Sequence, residues 1–298
     1  MNDHERLAVL KTWKLFIKGS FPRSESGRTL PLHNKDAELI AHLSHASRKD
    51  LREAIESARG AFPGWSGSTA YLRSQIIYRL AEMLEGRRSE LSDALRSTSG
   101  VSKKKADTEV SASIDRTVSW AGWCDKFPMV LGSRNPVAGP YHNFSMPEPS
   151  GVCVAVQGIA EQHSLLGFMS LVLPPLCTGN AVVAVANTEH PLAALLVAEV
   201  APTADIPPGV LNVITGDAKE LAGWIASHRD VDSVHAIADE AIAVTLRAGA
   251  AENLKRVQIL PADEDFMDKC CTRWYWIRNI NIWTNISWKW HKCIHTIN

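Results

Sequence analysis

The sequence predicts an α/β fold: a Rossmann-like parallel sheet covered by helices on both faces, with a β-hairpin arm beside it. Three observations carry this expectation. Between Val152 and Leu260, short apolar runs alternate with longer amphipathic stretches, the pattern of right-handed βαβ crossovers. Within those short runs nearly every position is apolar, as in strands buried on both faces. From Pro128 to Pro149 the composition turns to Pro, Gly, Asn and Ser around an alternating segment, Tyr141 to Met146. That pattern fits a hairpin better than a core.

Each element has its own signal. Lys14 to Ile17 before Gly19 reads as a short strand and turn, and Ser24 to Gly27 as a second turn before an extended stretch, Thr29 to His33. Ser47 is a helix N-cap with Asp50 three residues on, and Leu51, Ala54, Ile55, Ala58 and Phe62 form one apolar face. Pro63-Gly64 is expected to end that helix. Thr69 caps a longer one, with Leu72, Ile76, Ile77, Leu80 and Leu84 inward and helix continuing to about Leu95. Lys103, Lys104 and Lys105 read as a solvated helix start rather than a nucleic-acid patch. After the arm come strands at Val152–Val156, Ala181–Ala186, Val210–Ile214, Val231–Ile237 and Arg256–Leu260. Helices are expected at Leu165–Cys177, from Pro191 to about Ala201, at Lys219–His228 and at Asp239–Ala248.

Composition sets the outer bounds. The 298 residues are 45% hydrophobic and 21% charged with no formal net charge, which excludes disorder, collagen-like repeats and a disulfide-stapled miniprotein. No apolar run approaches the ~20 residues of a membrane helix, and the polar N-terminus shows no signal peptide, so a cytoplasmic protein is expected. Cys124, Cys153 and Cys177 lie singly among apolar or aromatic residues and are expected to be buried reduced thiols.

The neutral balance averages two unlike pieces. From Lys269 to Asn298 there is no Ala, Gly, Leu, Val, Pro, Asp or Glu, yet the window holds five of the ten tryptophans and three of the six cysteines. Four segments follow: 1–127, a helical and strand part; 128–149, the arm; 150–262, the Rossmann-like part; and 263–298, an aberrant Trp/Cys-rich tail. The composition change at Asp268 reads best as an out-of-frame or misassembled extension. His291, Cys293 and His295, with Cys270 and Cys271 upstream, match no usual zinc spacing, so no metal site is expected. The tail shows no sustained helical face, and neither membrane nor nucleic acid is an expected partner.

Specific residues resemble the aldehyde dehydrogenase superfamily. They include Phe16-Ile17-Lys18-Gly19, Ser26-Gly27-Arg28, Ala61-Phe62 before Trp65, and Gly139-Pro140-Tyr141. Glu148-Pro149 before Gly151-Val152, Gly179-Asn180, Pro191-Leu192, Pro208 to Val213 and Leu254 to Val257 continue the series in order. The resemblance covers the N-terminal and cofactor-binding part, from about Phe16 to about Ile259. It is greatest to the degenerate second module of the two-module family-16 enzymes, and it implies that the catalytic domain is truncated.

The same resemblance implies an NAD(P)-dependent oxidation of aldehyde to carboxylic acid, through a cysteine nucleophile, an oxyanion hole and a water-activating carboxylate. Each implied position has changed. The oxyanion asparagine of the family's Pro-Trp-Asn-aromatic-Pro motif falls on Gln162, between Glu161 and His163. The ribose-holding Lys and Glu fall on Val185 and Thr188, while Gly216 keeps the glycine after the next strand. The Gly-Ser pair beside the cofactor pyrophosphate falls on Ala238 and Asp239. A methyl group blocks close backbone approach, and a carboxylate ~4 Å from a phosphate repels it by roughly 1 to 4 kcal/mol. The water-activating glutamate falls on Leu260, which cannot transfer a proton. Cys293 stands near the nucleophile's offset without its Gly-Gln-x-Cys context.

The expectation is therefore a non-catalytic, truncated module with no cofactor. It would act as scaffold or oligomerisation partner of an active aldehyde dehydrogenase, or of its own copy, through 137–146. The alternative is the NAD(P)-dependent oxidoreductase that the family implies. A gene remnant without function and a tail-driven binding module complete the readings.

Overall fold

The computed structural model describes residues 9–136, 138–159, 163–261 and 266–267, together with the backbone of 284–292. Its centre is a five-stranded parallel sheet of order β10-β9-β6-β7-β8. The strands are β6 (Val152–Gln157), β7 (Ala181–Ala186), β8 (Leu211–Thr215), β9 (Ser233–Ile237) and β10 (Arg256–Leu260). Every residue of β6, β7, β8 and β9 is buried, including the polar Gln157, Asn212, Thr215, Ser233 and His235. The chain builds outward from β6 to β7 and β8, then returns to lay β9 on the other side of β6. The order reverses between β6 and β9, and a ligand crevice is expected outside the carboxyl ends of strands at such a point.

Two hydrophobic clusters cover the two faces. On one, alternate residues Val152, Val154 and Val156 meet α1 (Arg48–Ser66), α8 (Ala218–Ser227) and α9 (Glu240–Ala251). On the other, Cys153 and Ala155 belong to the cluster of α2 (Ala70–Gly86), α3 (Arg88–Ser99), α4 (Lys103–Trp123), α6 (Ser164–Cys177) and α7 (Leu192–Val200). Ser47 opens α1 with a capping box: its hydroxyl accepts from the Lys49 and Asp50 amides, and Asp50 accepts from the Ser47 amide at 2.7 Å.

Three expectations need correction. The first helix does not stop at Pro63 but runs on to Ser66. Trp65 explains this: it is buried, and its indole N–H donates to the Leu176 carbonyl at 3.1 Å, which holds the final turn against the cost of an interior proline. Leu72 is 46% exposed rather than inward, because Arg73, Ile76, Ile77, Leu80 and Leu84 set the buried stripe of α2 one position away. The N-terminal strand β1 is Thr12–Trp13, not Lys14 to Ile17. Phe16 instead makes a single antiparallel bridge to Val213 on the outer edge of β8, donating and accepting one bond at 2.8 Å each.

A small sheet, β1-β3-β2, adds β2 (Thr29–His33) and β3 (Leu39–Ser44). Beyond the short helix α5 (Phe127–Leu131), the arm is antiparallel as expected, with β4 (Ser133–Asn135) on β5 (Tyr141–Pro149). The opposite edge of β5 pairs over nine residues with β11 (Thr284–Lys292) from the tail, Tyr141 facing Lys292 and Pro149 facing Thr284.

Candidate functional site

The crevice at the β6/β9 switch point is walled by Gly158, which follows β6, and by Ala238 and Asp239, which follow β9. The Gly158 amide donates to the Ile237 carbonyl at 2.8 Å. A Cβ at Gly158 would lie 3.0 Å from the Ile242 side chain, so the first turn of α9 packs directly against the loop after β6.

The α9 N-terminus is occupied by the chain itself. Asp239 is the N-cap, and its Oδ1 accepts from the Ile242 amide at 2.9 Å. The other oxygen lies 3.5 Å from the Lys219 ammonium, which comes from the first turn of α8. The Ile242 hydrogen bond holds the Asp239 carboxyl below the ordinary carboxylate range, and Lys219 adds to it. It is therefore anionic at neutral pH. Ala238 is buried at 6% exposure, with a methyl group where the resemblance implies a glycine.

The remaining sites of the resemblance are apolar or turned to structural use. Val185 is 1% exposed inside β7, and Thr188 is half-buried in the loop after it. Gly216 follows β8 in close packing, where a Cβ would meet Leu221 at 3.3 Å and the Ala46 carbonyl at 3.4 Å. Leu260 is fully buried at the end of β10, paired with Ile237. Gln162 lies outside the described residues, as do Cys270, Cys271, Cys293 and His295, and nothing is described of the His291 side chain. Set against the Lys, Glu, Gly-Ser and Glu that the resemblance implies for a dinucleotide-dependent site, these residues do not fit the cofactor.

A buried carboxylate and a half-buried guanidinium on α4 were not anticipated from sequence. Glu109 of α4, 4% exposed, accepts from the Leu165 and Leu166 amides at 2.8 and 3.2 Å, and so caps α6. His163 lies beside it, with Nδ1 3.7 Å from the second carboxylate oxygen. The sequence held a signal: Glu109 falls on the inward stripe of Ala106, Val110, Ser113 and Thr117. Arg116, about two turns further along α4, donates to the Ser170 hydroxyl and the Phe266 carbonyl, both at 2.8 Å. Burial among neutral partners lowers its pKa to about 10.

The three described cysteines are buried and free, as expected. Burial pushes Cys153 up to about 12, and its sulfur contacts the Ser233 hydroxyl at 2.8 Å. Cys177 is likewise raised by burial. Neither Cys153 nor Cys177 is a thiolate at neutral pH. Among the described residues, no group of three or more His, Cys, Asp or Glu is placed to hold a metal ion, and no helix is long and apolar enough to cross a membrane.

The family model for aldehyde dehydrogenases matches residues 22–260, most of the chain. The chain belongs to the aldehyde dehydrogenase family. Retinal dehydrogenase 2 of Gallus gallus is 32% identical over 256 residues, 84% of this chain and 48% of the relative. The mitochondrial benzaldehyde dehydrogenase of Antirrhinum majus is 33% identical over 251 residues, 83% of this chain and 46% of that one. Among solved structures, the NAD+ complex of an aldehyde dehydrogenase from Bacillus cereus superposes with a TM-score of 0.79 at 27% identity, covering 84% of this chain and 51% of that one. The chain thus spans about half the length of the aldehyde dehydrogenases it matches.

Proposed function

We propose that this chain is a non-catalytic aldehyde dehydrogenase module that serves as a scaffold or oligomerisation partner of an active aldehyde dehydrogenase. The observation that carries the reading is the Asp239 carboxylate, bound to the Ile242 amide at the α9 N-terminus. An oriented helix N-terminus is a ready anion site, and here its anion is a side chain of the protein. Leu260 supports the same reading, because a fully buried leucine offers no base for hydrolysis of an acyl intermediate. So does Cys153, whose raised pKa leaves it un-nucleophilic at neutral pH.

The arm supplies the docking element. Both edges of β5 are engaged within the chain, by β4 over 143–145 and by β11 over 141–149. Docking through 137–146 would therefore add to the outer edges of this three-stranded sheet, or would displace β11.

A second reading is an NAD(P)-dependent aldehyde oxidoreductase, favoured by the likeness to the NAD+-bound Bacillus cereus enzyme. Two measurements on the purified full chain separate the readings. Calorimetric titration with NAD and NADP is expected to show no saturable micromolar binding, with no aldehyde-dependent NADH. Mixing with an active aldehyde dehydrogenase is expected to give co-elution. Saturable micromolar cofactor binding would revive the enzyme, and failure to join either such enzymes or its own copy would end the scaffold reading.

A further inference from the structure

A groove runs between α1 and α8, away from the β6/β9 crevice. It encloses a cavity of about 550 Å³ lined in part by Arg48, Lys49, Arg52, Trp224 and His228. Trp224 is 42% exposed, an unusual place for an indole. The Arg48 guanidinium lies 3.8 Å over its ring, a cation–π stack that fixes the plane of the fork.

The charges here are not internally settled. Among the described residues, Arg48 has no carboxylate partner and no hydrogen bond. Lys49 pairs with Glu25 at 3.0 Å, and Arg52 meets Glu56 at 3.6 Å through its Nε alone. Both are exposed pairs, which are readily exchanged for a better anion. His228 accepts from the Asp230 amide through Nδ1 at 3.2 Å, which makes Nε2 the protonated nitrogen and a donor. The groove therefore offers a stacked guanidinium, two more cations and a neutral N–H donor beside an apolar ring, against the single lining carboxylate of Glu25.

We propose that the α1/α8 groove binds a small organic phosphate monoester. Its phosphate is held by Arg48 with Arg52 and Lys49, and its carbon part lies against Trp224. The two fixed donors of a guanidinium match two phosphate oxygens, and a phosphate dianion matches the excess of positive charge. A carboxylate meets the same fork with two oxygens but brings one fewer negative charge to the three cations. The site is independent of the dinucleotide crevice, so its test is independent of the reading above.

Calorimetry on the full chain uses phenyl phosphate as probe, with phenol and inorganic phosphate as comparators. Phenyl phosphate is expected to saturate one site, to bind at least tenfold more tightly than inorganic phosphate, and to weaken as salt rises. Phenol is expected not to bind. Arg48→Ala and Trp224→Ala should each weaken binding at least tenfold, while Lys103→Ala, on the exposed start of α4, leaves it unchanged. Circular dichroism identifies any variant that fails to fold, and Arg48→Lys then gives a second measurement, since an ammonium keeps the charge but loses the fork. No saturation by phenyl phosphate, or equal binding by Arg48→Lys and the native chain, overturns the proposal. Equal affinity for inorganic phosphate overturns the role given to Trp224.

Discussion

His235 shows how far a single residue can depart from its ordinary chemistry in this fold. It sits in the middle of β9 at 1% exposure, and burial lowers its pKa from 6.5 to about 3. The unfolded chain therefore binds a proton below pH 6.5 that the folded chain does not take up until about pH 3. Stability from this residue is full above pH 6.5 and is lost as the pH falls, by about 1.4 kcal/mol per unit between those values. His235→Leu should remove about 2 kcal/mol of the loss between pH 7 and pH 5, as read by urea unfolding at both pH values. Cys153 should resist alkylation by iodoacetamide in the native state at neutral pH and react on unfolding; rapid native labelling would contradict its burial. Asp239→Asn keeps the α9 cap but removes the charge. It should raise NAD affinity at least fivefold, the equivalent of about 1 kcal/mol of relieved repulsion. The resemblance sets the family positions on Val185, Thr188, Ala238, Asp239 and Leu260, and the burial of Val185 and Leu260 was legible in their apolar runs. What they now touch was not legible, since the Asp239–Lys219 and Glu109–Leu165 contacts join segments far apart in sequence.

At the level of elements, periodicity foretold what is buried and missed what is held by distant partners. Ala181–Ala186 coincides with β7, because a strand covered on both faces must be apolar along its length, and Arg256–Leu260 coincides with β10, a half-buried edge strand marked by alternating Val257, Ile259 and the final Leu260. The strand at Leu39–Ser44 escaped notice. It carries a His at its centre and has only two consecutive buried residues, at its end, and it is a strand because β1 and β2 flank it. The end of α1 was misplaced for the same reason: proline chemistry is local, whereas the Trp65 anchor lies on Leu176. The α6 cap can be tested directly. Glu109→Ala leaves two amides without their acceptor and should cost about 2 kcal/mol of stability. Glu109→Gln keeps an acceptor and should recover about half of that, as measured by the midpoint of urea unfolding.

For the molecule as a whole, the fold was legible because the sheet dominates it. Five parallel strands, four of them buried throughout, and two helical layers leave few alternatives once right-handed crossovers are required. The path of β11 was not legible, since nothing in the Trp-rich tail signals pairing with 141–149. The molecule also has a vulnerable flank. β8 is the outermost strand on its side of the main sheet, and across its edge the described chain lays the bridge from Phe16 to Val213 and a bond from the Ala46 amide to the Thr215 carbonyl. Replacing Ser20 and Phe16 together with proline would lift that latch. It would leave the middle of β8 around Val213, with Thr215 still held by Ala46, as a template for the same stretch of a neighbouring molecule. Such a variant should form thioflavin-positive fibrils on gentle warming where the native chain stays clear, so a few residues before the first helix decide whether this protein ages as a solution or as a gel.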